Sequence, residues 1–282
     1  MRLGWVLNLD ADLELAEGPG YCRSRRVGQA IRRQLPHAKR LLGPEDRVIG
    51  EGTGIDAGIA WCPTRLAQAE LQSAGMASAP APPLACLRRV NSRAFCAGLG
   101  QTLDGAGFFS ETEPLLRALG QFRGAYRLKR NYSVAGRGQR RGRGPVDDAG
   151  RAFIDASMRT GGLQLEPDVT IESELVVHGF IDGQAVLVAG PMRQCCDAYG
   201  AFVSAEPLEE FAAERRRFIE EAERVGAALR EAGYFGPFGV DGYVYREAGG
   251  VRLNPRSEIN ARFTLAYPVR HFRTMIERAF RR

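Results

Sequence analysis

The sequence of 282 residues has very little lysine and histidine. Of its 39 basic residues only Lys39 and Lys129 are lysines, and there are three histidines. With so few histidines, and with no CxxC pair among the six cysteines, a zinc site has poor support. Because arginine fills almost every other basic position, a lysine that remains is informative about function.

The sequence also lacks any stretch of about 18 consecutive apolar residues, so no membrane-spanning helix is expected. Its first 12 residues do not show the basic, apolar and small-residue order of a secretory signal, which favours a cytoplasmic location. Apolar residues make up 44% and charged residues 26%, as in ordinary globular proteins. The net charge of +6 suggests an anionic partner, which includes nucleotides, acidic substrates and nucleic acids.

The first part of the chain alternates short apolar runs with amphipathic segments, which is an α/β pattern. Thr64 is a candidate N-cap, and residues 77–83 are rich in Ala and Pro and read as a linker. The predicted strands are 3–9 and 57–61, and the predicted helices are 23–34, 65–74, 90–98 and 111–120.

A second α/β pattern follows, and it contains a long helix with one apolar stripe. We expect residues 131–145, which hold four glycines and four arginines, to form a loop. The predicted strands are 125–130, 163–165, 169–180, 185–189 and a hairpin from 238 to 254, and the predicted helices are 206–232 and 269–280.

The most specific motif is an acidic residue in one hairpin strand followed by Glu-x-Asn-x-Arg in the next. With a tight turn at the Ala-Gly-Gly run, Asp241 is expected opposite Arg256, two positions from Glu258. Because alternate residues of a strand share a face, Glu258, Asn260 and Arg262 point to the side of Asp241. Two carboxylates and an amide oxygen suit Mg²⁺. A surface hairpin with solvated charges is the alternative.

A second motif places one of the two lysines at the end of a predicted strand, directly before a glycine-rich loop. Lys129 precedes Gly136 and Gly138, and glycines allow backbone N–H groups to approach phosphate oxygens closely. The spacing fits neither the P-loop nor the GxGxxG pattern. A solvated basic loop is the alternative.

A third motif is acidic and extends from Glu166 to Glu174. On the predicted strand, Glu172, Glu174 and His178 share a face, where a carboxylate can accept hydrogen bonds from ribose hydroxyls. Taken alone, the motif fits the exposed polar face of an antiparallel sheet better. A structural role is the stronger interpretation of His178, and Arg193 and Gln194 are weak candidates for substrate contacts.

Along the chain, the lysine with its glycine-rich loop comes first, the acidic segment second and the acidic hairpin last. This order resembles the ATP-grasp superfamily of carboxylate–amine ligases, over residues 90–282. The resemblance implies an α/β fold that becomes α+β in its C-terminal part. A small N-terminal α/β domain (1–88) is expected to precede an ATP-grasp domain (89–282), with a lid subdomain at about 122–168.

The resemblance also implies a nucleotide site. Lys129 is expected to contact the ATP phosphates and the adenine edge, and Gly136 and Gly138 to belong to the lid loop over the triphosphate. The segment from Glu166 to Val169 is expected to read adenine through its backbone. Glu174 matches the ribose-binding glutamate.

The remaining implied roles concern the metal and the substrate. Asp241, Glu258 and Asn260 match the Mg²⁺ ligands, and Arg262 the arginine that steadies the transferred phosphate or a substrate carboxylate. Arg93 stands where the family has a second phosphate lysine, which is a departure from the pattern.

The implied activity is an ADP-forming ligase that uses ATP and Mg²⁺ to join a carboxylate to an amine, with a homodimer as one possible assembly and no membrane partner. Two alternatives remain open. One is an ATP-grasp kinase. The other is a nucleic-acid-binding protein that uses the Arg/Gly-rich segment 137–144.

Overall fold

The computed structural model describes residues 1–133, 138–183, 185–196 and 202–280. Within these ranges the strands form a small parallel sheet, a four-stranded antiparallel sheet and a larger antiparallel sheet. No helix in the same ranges has the length and apolar character needed to cross a membrane.

The N-terminal part is a parallel sheet with helices around it. Its strands have the order β2-β1-β3, and every residue of the central strand is buried, as expected for a parallel sheet covered on both faces. The elements are β1 (Leu3–Val6), α1 (Ala11–Glu17), one 3₁₀ turn (Gly18–Gly20), α2 (Arg25–Lys39), β2 (Arg47–Val48), β3 (Ala57–Ala60) and α3 (Arg65–Ser73).

The middle part is an antiparallel sheet, hereafter the lid sheet, with strand order β4-β7-β5-β6. Two helices pack on one face through an apolar cluster that includes Leu115, Leu128 and Ile154. The other face carries charged side chains. The elements are α4 (Leu84–Val90), α5 (Arg93–Gly98), β4 (Gly107–Phe109), α6 (Thr112–Gln121), β5 (Ala125–Arg130), β6 (Gln139–Arg143), α7 (Asp148–Met158) and β7 (Leu163–Pro167).

Two expectations fail in this part. The helix predicted at 90–98 begins at Arg93, because Ser92 caps it by accepting a hydrogen bond from the Phe95 N–H (3.1 Å). The loop predicted at 131–145 contains strand β6, in which Arg140 lies opposite Leu128. Backbone hydrogen bonds to β5 hold this segment as a strand, a conformation that its polar sequence does not predict.

The C-terminal part is the larger sheet, with strand order β11-β10-β8-β12-β13 and β9 paired to β8. It is packed against helix α8 on one face. The elements are β8 (Thr170–Asp182), β9 (Ala185–Val188), β10 (Met192–Cys196), β11 (Phe202–Pro207), α8 (Ala212–Glu231), β12 (Gly236–Glu247), β13 (Gly250–Asn260) and α9 (Val269–Ala279).

Helix α8 carries the predicted apolar stripe but begins later than expected. Phe218, Ala222, Val225 and Leu229 are all fully buried. Residue 206, the predicted start, belongs to β11, and the helix begins after Phe211, whose φ of 59° is left-handed and interrupts a helix.

Candidate functional site

A cleft of about 1720 Å³ lies between the lid sheet and the larger sheet, and the carboxyl end of the N-terminal sheet closes one side of it. Most of the residues predicted for the site line this cleft. They are Lys129, Glu166, Val169, Glu174, Asp241, Glu258, Asn260 and Arg262. Arg93 is buried behind the cleft wall, and Gly138 (φ 71°) closes the turn before β6 by accepting the Arg130 N–H. Gly136 lies outside the described residues.

The two acidic residues predicted to bind metal lie directly opposite each other, which corrects the predicted register. Tyr243 pairs with Asn254 as expected, but Asp241 pairs with Glu258 instead of Arg256. The β13 side of this irregularity contains two extra residues, Pro255 and Arg256 among them. Proline has no N–H to donate to the ladder, so a bulge at this point is physically reasonable.

Asp241 has an unusual electrostatic environment. Its Oδ1 accepts a hydrogen bond from Gln194 (3.1 Å) and its Oδ2 one from Asn260 (2.8 Å). Burial and the facing charge of Glu258 nevertheless raise the pKa of Asp241 from 3.8 to about 7. The side chain is therefore held in place by amide donors and forms no ion pair with any residue that the structure describes.

Arg93 is committed to protein partners. Its guanidinium is almost fully buried and forms an ion pair with Glu258 (2.9 Å), and it donates to the Arg130 carbonyl (3.1 Å) and the Ser133 hydroxyl (3.1 Å). This arrangement orients Glu258 from behind and connects β13 to the end of β5. Arg93 thus lies behind the Glu258 carboxylate, and a contact between Arg93 and an ATP phosphate stays a prediction.

Lys129 is buried on the cleft face of β5 and forms an ion pair with Glu166 of β7. Burial lowers the pKa of Lys129, the nearby Arg93 charge acts in the same direction, and Glu166 opposes both. Gln164 also donates to Glu166 (3.3 Å). The lysine therefore has a fixed position at the boundary between lid sheet and cleft.

Two lid-sheet arginines in the cleft were missed by sequence reasoning. Arg127 (2.6 Å) and Arg141 (3.3 Å) both form ion pairs with Asp168, the residue that joins β7 to β8. Arg127 lies two positions from Lys129, so strand alternation alone was sufficient to place it on the same face. The neighbouring Arg140 pairs with Asp147 (2.7 Å), so these arginines of segment 137–144 belong to a folded strand and have acidic partners.

The titratable residues of β8 lie in different environments. Glu174 lines the cleft, and its side chain has no hydrogen bond or ion pair with any residue that the structure describes. Glu172 pairs with Arg246 (2.9 Å). His178 is fully buried, contacts the Thr264 hydroxyl through Nε2 (2.7 Å), and burial lowers its pKa to about 3. It thus stays neutral and has the environment of a structural residue.

Arg262 extends from the end of β13 toward the N-terminal part. Its guanidinium forms a two-point ion pair with Asp12 of α1, with Nη2–Oδ2 at 2.6 Å and Nε–Oδ1 at 3.1 Å. Asp12 also lines the cleft and was missed. Its position just after β1, at the carboxyl end of a parallel sheet, is where ligands commonly bind and was the available signal.

The donor set of the cleft fits Mg²⁺. No group of three or more His, Cys, Asp or Glu side chains with metal-site geometry occurs in the described ranges. Asp241 and Glu258 instead provide two carboxylates with Asn260 beside them, and oxygen ligands of this kind suit a hard cation that also binds water and phosphate oxygens. Burial and the facing charge of Glu258 both raise the pKa of Asp241, so a cation bound beside this carboxylate would favour its ionised form.

Comparison with known proteins identifies the fold. No protein-family model matches the sequence, and no curated protein sequence matches it. Among solved structures, the chain is similar to N5-carboxyaminoimidazole synthetase from Staphylococcus aureus complexed with ADP. The identity is 9% and the TM-score 0.53, over 93% of this chain and 71% of that one.

Two further solved structures show the same similarity. D-cycloserine synthetase shares 13% identity with a TM-score of 0.54, over 98% of this chain and 99% of that one. Biotin carboxylase from Campylobacter jejuni, solved as a beta-gamma-ATP complex, shares 14% identity with a TM-score of 0.60, over 99% and 64%. These neighbours are ATP-grasp proteins, and the predicted fold class is confirmed: the chain has the ATP-grasp fold.

Proposed function

We propose that this protein is an ADP-forming, ATP-dependent ligase that activates a carboxylate for attack by an amine or a similar nucleophile. The observation that carries the proposal is the meeting of two sets of side chains across one cleft. Lys129 comes from the lid sheet, and Asp241, Glu258 and Asn260 come from the larger sheet. The structural neighbours solved with ADP or ATP support a nucleotide in this position.

In this proposal the lid side of the cleft binds the nucleotide. Lys129, held by Glu166, contacts phosphate oxygens, and a buried ammonium with restricted motion loses little entropy when it does so. The segment from Glu166 to Val169 borders the adenine, and Glu174 has a carboxylate free to accept ribose hydroxyls. Asp168, fixed by two arginines, holds this segment against the lid sheet.

The opposite side of the cleft binds the metal. Asp241, Glu258 and Asn260 would hold Mg²⁺, which when bound neutralises negative charge on phosphate oxygens. Arg93 keeps Glu258 oriented, and Gln194 keeps Asp241 oriented, by direct side-chain contacts. Because these supporting contacts exist before ligand binding, the donors need little rearrangement.

The reaction follows from this placement. An oxygen of the substrate carboxylate attacks the γ-phosphorus of ATP, the bond from that phosphorus to the bridging oxygen breaks, and ADP leaves. The acyl phosphate is then attacked at its carbonyl carbon by the amine, and phosphate leaves. Arg262 lines the same cleft as Asp241 and Glu258, which suits it to contact the transferred phosphate or the substrate carboxylate.

The first test is a thermal shift with Mg·ATP on the wild type and on Lys129→Met. Ligand at about 100 times its Kd stabilises the folded protein by about 2.7 kcal/mol, which for a chain of this size raises the Tm by a few degrees. We expect the rise in the wild type and its loss in Lys129→Met.

The chain offers a matched control in Lys39→Met. Lys39 is the one other lysine of the sequence, is exposed, and pairs with Glu51 on the surface (2.8 Å). This variant should keep the full shift. No Mg·ATP shift in the wild type would remove the basis of the proposal.

Turnover is tested by ADP release in the presence of candidate carboxylates and amines. Glu258→Gln keeps the shape of the side chain but removes one of the two carboxylate charges, and we expect it to abolish release. A kinase would instead accumulate a stable phosphorylated acceptor without any requirement for an amine. Normal turnover by Glu258→Gln would contradict the metal assignment.

A further inference from the structure

The ion pair between Asp12 and Arg262 occupies the end of the cleft that faces the N-terminal sheet. Both side chains line the cleft and are mostly buried, with exposed fractions of 11% and 15%. The pair joins α1 to the second residue after β13 by two hydrogen bonds, of 2.6 and 3.1 Å. A substrate carboxylate that binds the same edge of the guanidinium, through Nε and Nη2, must therefore take the place of Asp12.

Charge balance at this end disfavours a simple anion. Displacement of Asp12 by a substrate carboxylate would leave Asp12 buried without a counterion, which is strongly unfavourable. Arg193, another arginine that lines the cleft, pairs with Glu206 and with Glu210 (3.6 Å). Arg127 and Arg141 pair with Asp168, so every arginine that lines the cleft in the described ranges has a carboxylate partner.

A second observation indicates a ligand that donates hydrogen bonds. Gln34 of α2 lines the same cleft, and its Oε1 is buried without a hydrogen-bond partner among the described residues. An unpaired buried acceptor is unfavourable and is satisfied by an N–H donor. An ammonium group supplies such donors, whereas a second carboxylate does not.

Apolar residues line the cleft close in sequence to the members of the ion pair or to their neighbours. Leu9, Trp61 and Leu265 line the cleft. Trp61 is adjacent to the ion pair through the backbone, since its carbonyl accepts the Phe263 N–H (3.1 Å). The site therefore combines one positive group, one negative group and an apolar wall.

We propose that this end of the cleft binds a free α-amino acid as the carboxylate substrate, an inference that rests on the ligase function proposed above. The substrate carboxylate replaces Asp12 at Arg262, and the substrate ammonium replaces Arg262 at Asp12. Each protein charge exchanges one partner for another of the same sign, so no buried charge is left unpaired. The side chain of the amino acid lies against Leu9, Trp61 and Leu265.

The chemistry is consistent with this orientation. The carboxylate on Arg262 attacks the γ-phosphorus of ATP, with ADP as the leaving group. The ammonium stays protonated because Asp12 favours its charged form, so it has no lone pair for attack. The nucleophile that opens the acyl phosphate must then come from a second molecule, which prevents self-condensation at this site.

The test measures ADP release with hydroxylamine as the nucleophile, which traps any acyl phosphate as a hydroxamate. The panel contains the common amino acids and matched acids without the amino group, such as alanine with propanoate and phenylalanine with 3-phenylpropanoate. We expect kcat/KM for the active amino acids to exceed that of the matched acids by roughly 10- to 100-fold, the value of a hydrogen bond to a charged group.

The variant Asp12→Asn keeps the size of the side chain and removes its charge. We expect it to raise KM for the amino acid, because the substrate ammonium loses its carboxylate partner. We also expect it to improve the use of the matched acid, because Arg262 can then bind the substrate carboxylate without breaking an ion pair with Asp12. The control is Asp46→Asn, which breaks the Asp46–Arg273 ion pair (2.6 Å) to α9, outside the cleft, and should keep the preference for amino acids.

The outcomes separate the two proposals. No Mg·ATP shift and no ADP release with any compound would mean failure of the ligase function itself. If Mg·ATP binds and the matched acids are used as well as the amino acids, only the amino-acid inference fails. It also fails if Mg·ATP binds but no amino acid gives hydroxamate, or if Asp12→Asn weakens both substrate types equally.

Discussion

Asp241→Asn is predicted to stabilise the protein in the absence of divalent cations. At pH 8 Asp241 is ionised in a partly buried position, opposite Glu258. Asparagine has nearly the same shape, removes the charge, and can still accept a hydrogen bond from Gln194 or Asn260. The variant should therefore be more stable than the wild type when neither Mg²⁺ nor nucleotide is present.

The magnitude follows from the pKa. Burial and Glu258 raise the pKa of Asp241 from 3.8 to about 7, and each unit corresponds to 1.36 kcal/mol. The carboxylate borders the open cleft, where water screens part of this effect, so we expect about 2–4 kcal/mol. For a chain of this size that corresponds to a rise in Tm of about 4–8 °C.

The pH dependence has a definite sign. The folded state holds the Asp241 proton more tightly than the unfolded state, so ionisation destabilises the fold as the pH rises from about 4 to 7. The destabilisation is absent below pH 4 and complete above pH 7. The stability difference between variant and wild type should accordingly grow over this interval and then remain constant.

The assay is chemical or thermal unfolding at pH 5, 6, 7 and 8 with a chelator present. Asp12→Asn is the matched control, because it removes a cleft carboxylate that has a cationic partner, Arg262, and it should destabilise the protein. A lower stability of Asp241→Asn than of the wild type at pH 8 would refute the reasoning, as would a difference that does not change with pH.

The other predictions concern neighbouring positions. Arg93→Met leaves Glu258 without its buried partner and should lower the free energy of unfolding by about 3–5 kcal/mol, measured by urea titration, with Arg93→Lys intermediate. In Gly242→Ala the new Cβ would lie 2.7 Å from the Asn254 carbonyl oxygen, so we expect a loss of about 1–3 kcal/mol and weaker Mg·ATP binding in the thermal-shift assay. His178, with its pKa lowered to about 3, should remain neutral in an NMR titration from pH 8 to 5, and a transition near pH 6.5 would contradict its burial.

The parts of the fold with strong periodicity were predictable from the sequence. The stripe of α8 and the strand that carries Lys129 have patterns that are set by burial on one face, so sequence and structure agree. Strands β6, β10 and β11 have polar sequences and were missed. They are held by backbone pairing to neighbouring strands, and β6 and β11, which lie at sheet edges, require no hydrophobic pattern.

The site was predictable to the extent that its residues lie on such strands. Lys129, Glu174, Asp241, Glu258 and Asn260 were chosen by residue type and spacing, and the structure brings them to one cleft. Residues that reach the cleft from distant parts of the chain were not predictable. The contact of Asp12 with Arg262 spans 250 positions and depends on how the N-terminal sheet packs against β13.

The register of β12 and β13 shows why this limit matters for function. Continuation of the predicted register would place Arg256 opposite Asp241, and the arginine would neutralise the carboxylate without any metal. The two extra residues in β13 instead allow Arg256 to turn away, where it pairs with Glu221 of α8 (2.6 Å) and donates to the Gly100 carbonyl (2.7 Å). Glu258 takes its place, so a protein cation is exchanged for a second negative charge. A local irregularity that strand periodicity does not predict thus replaces an expected ion pair by two facing carboxylates, and the proposed Mg²⁺ site rests on this replacement.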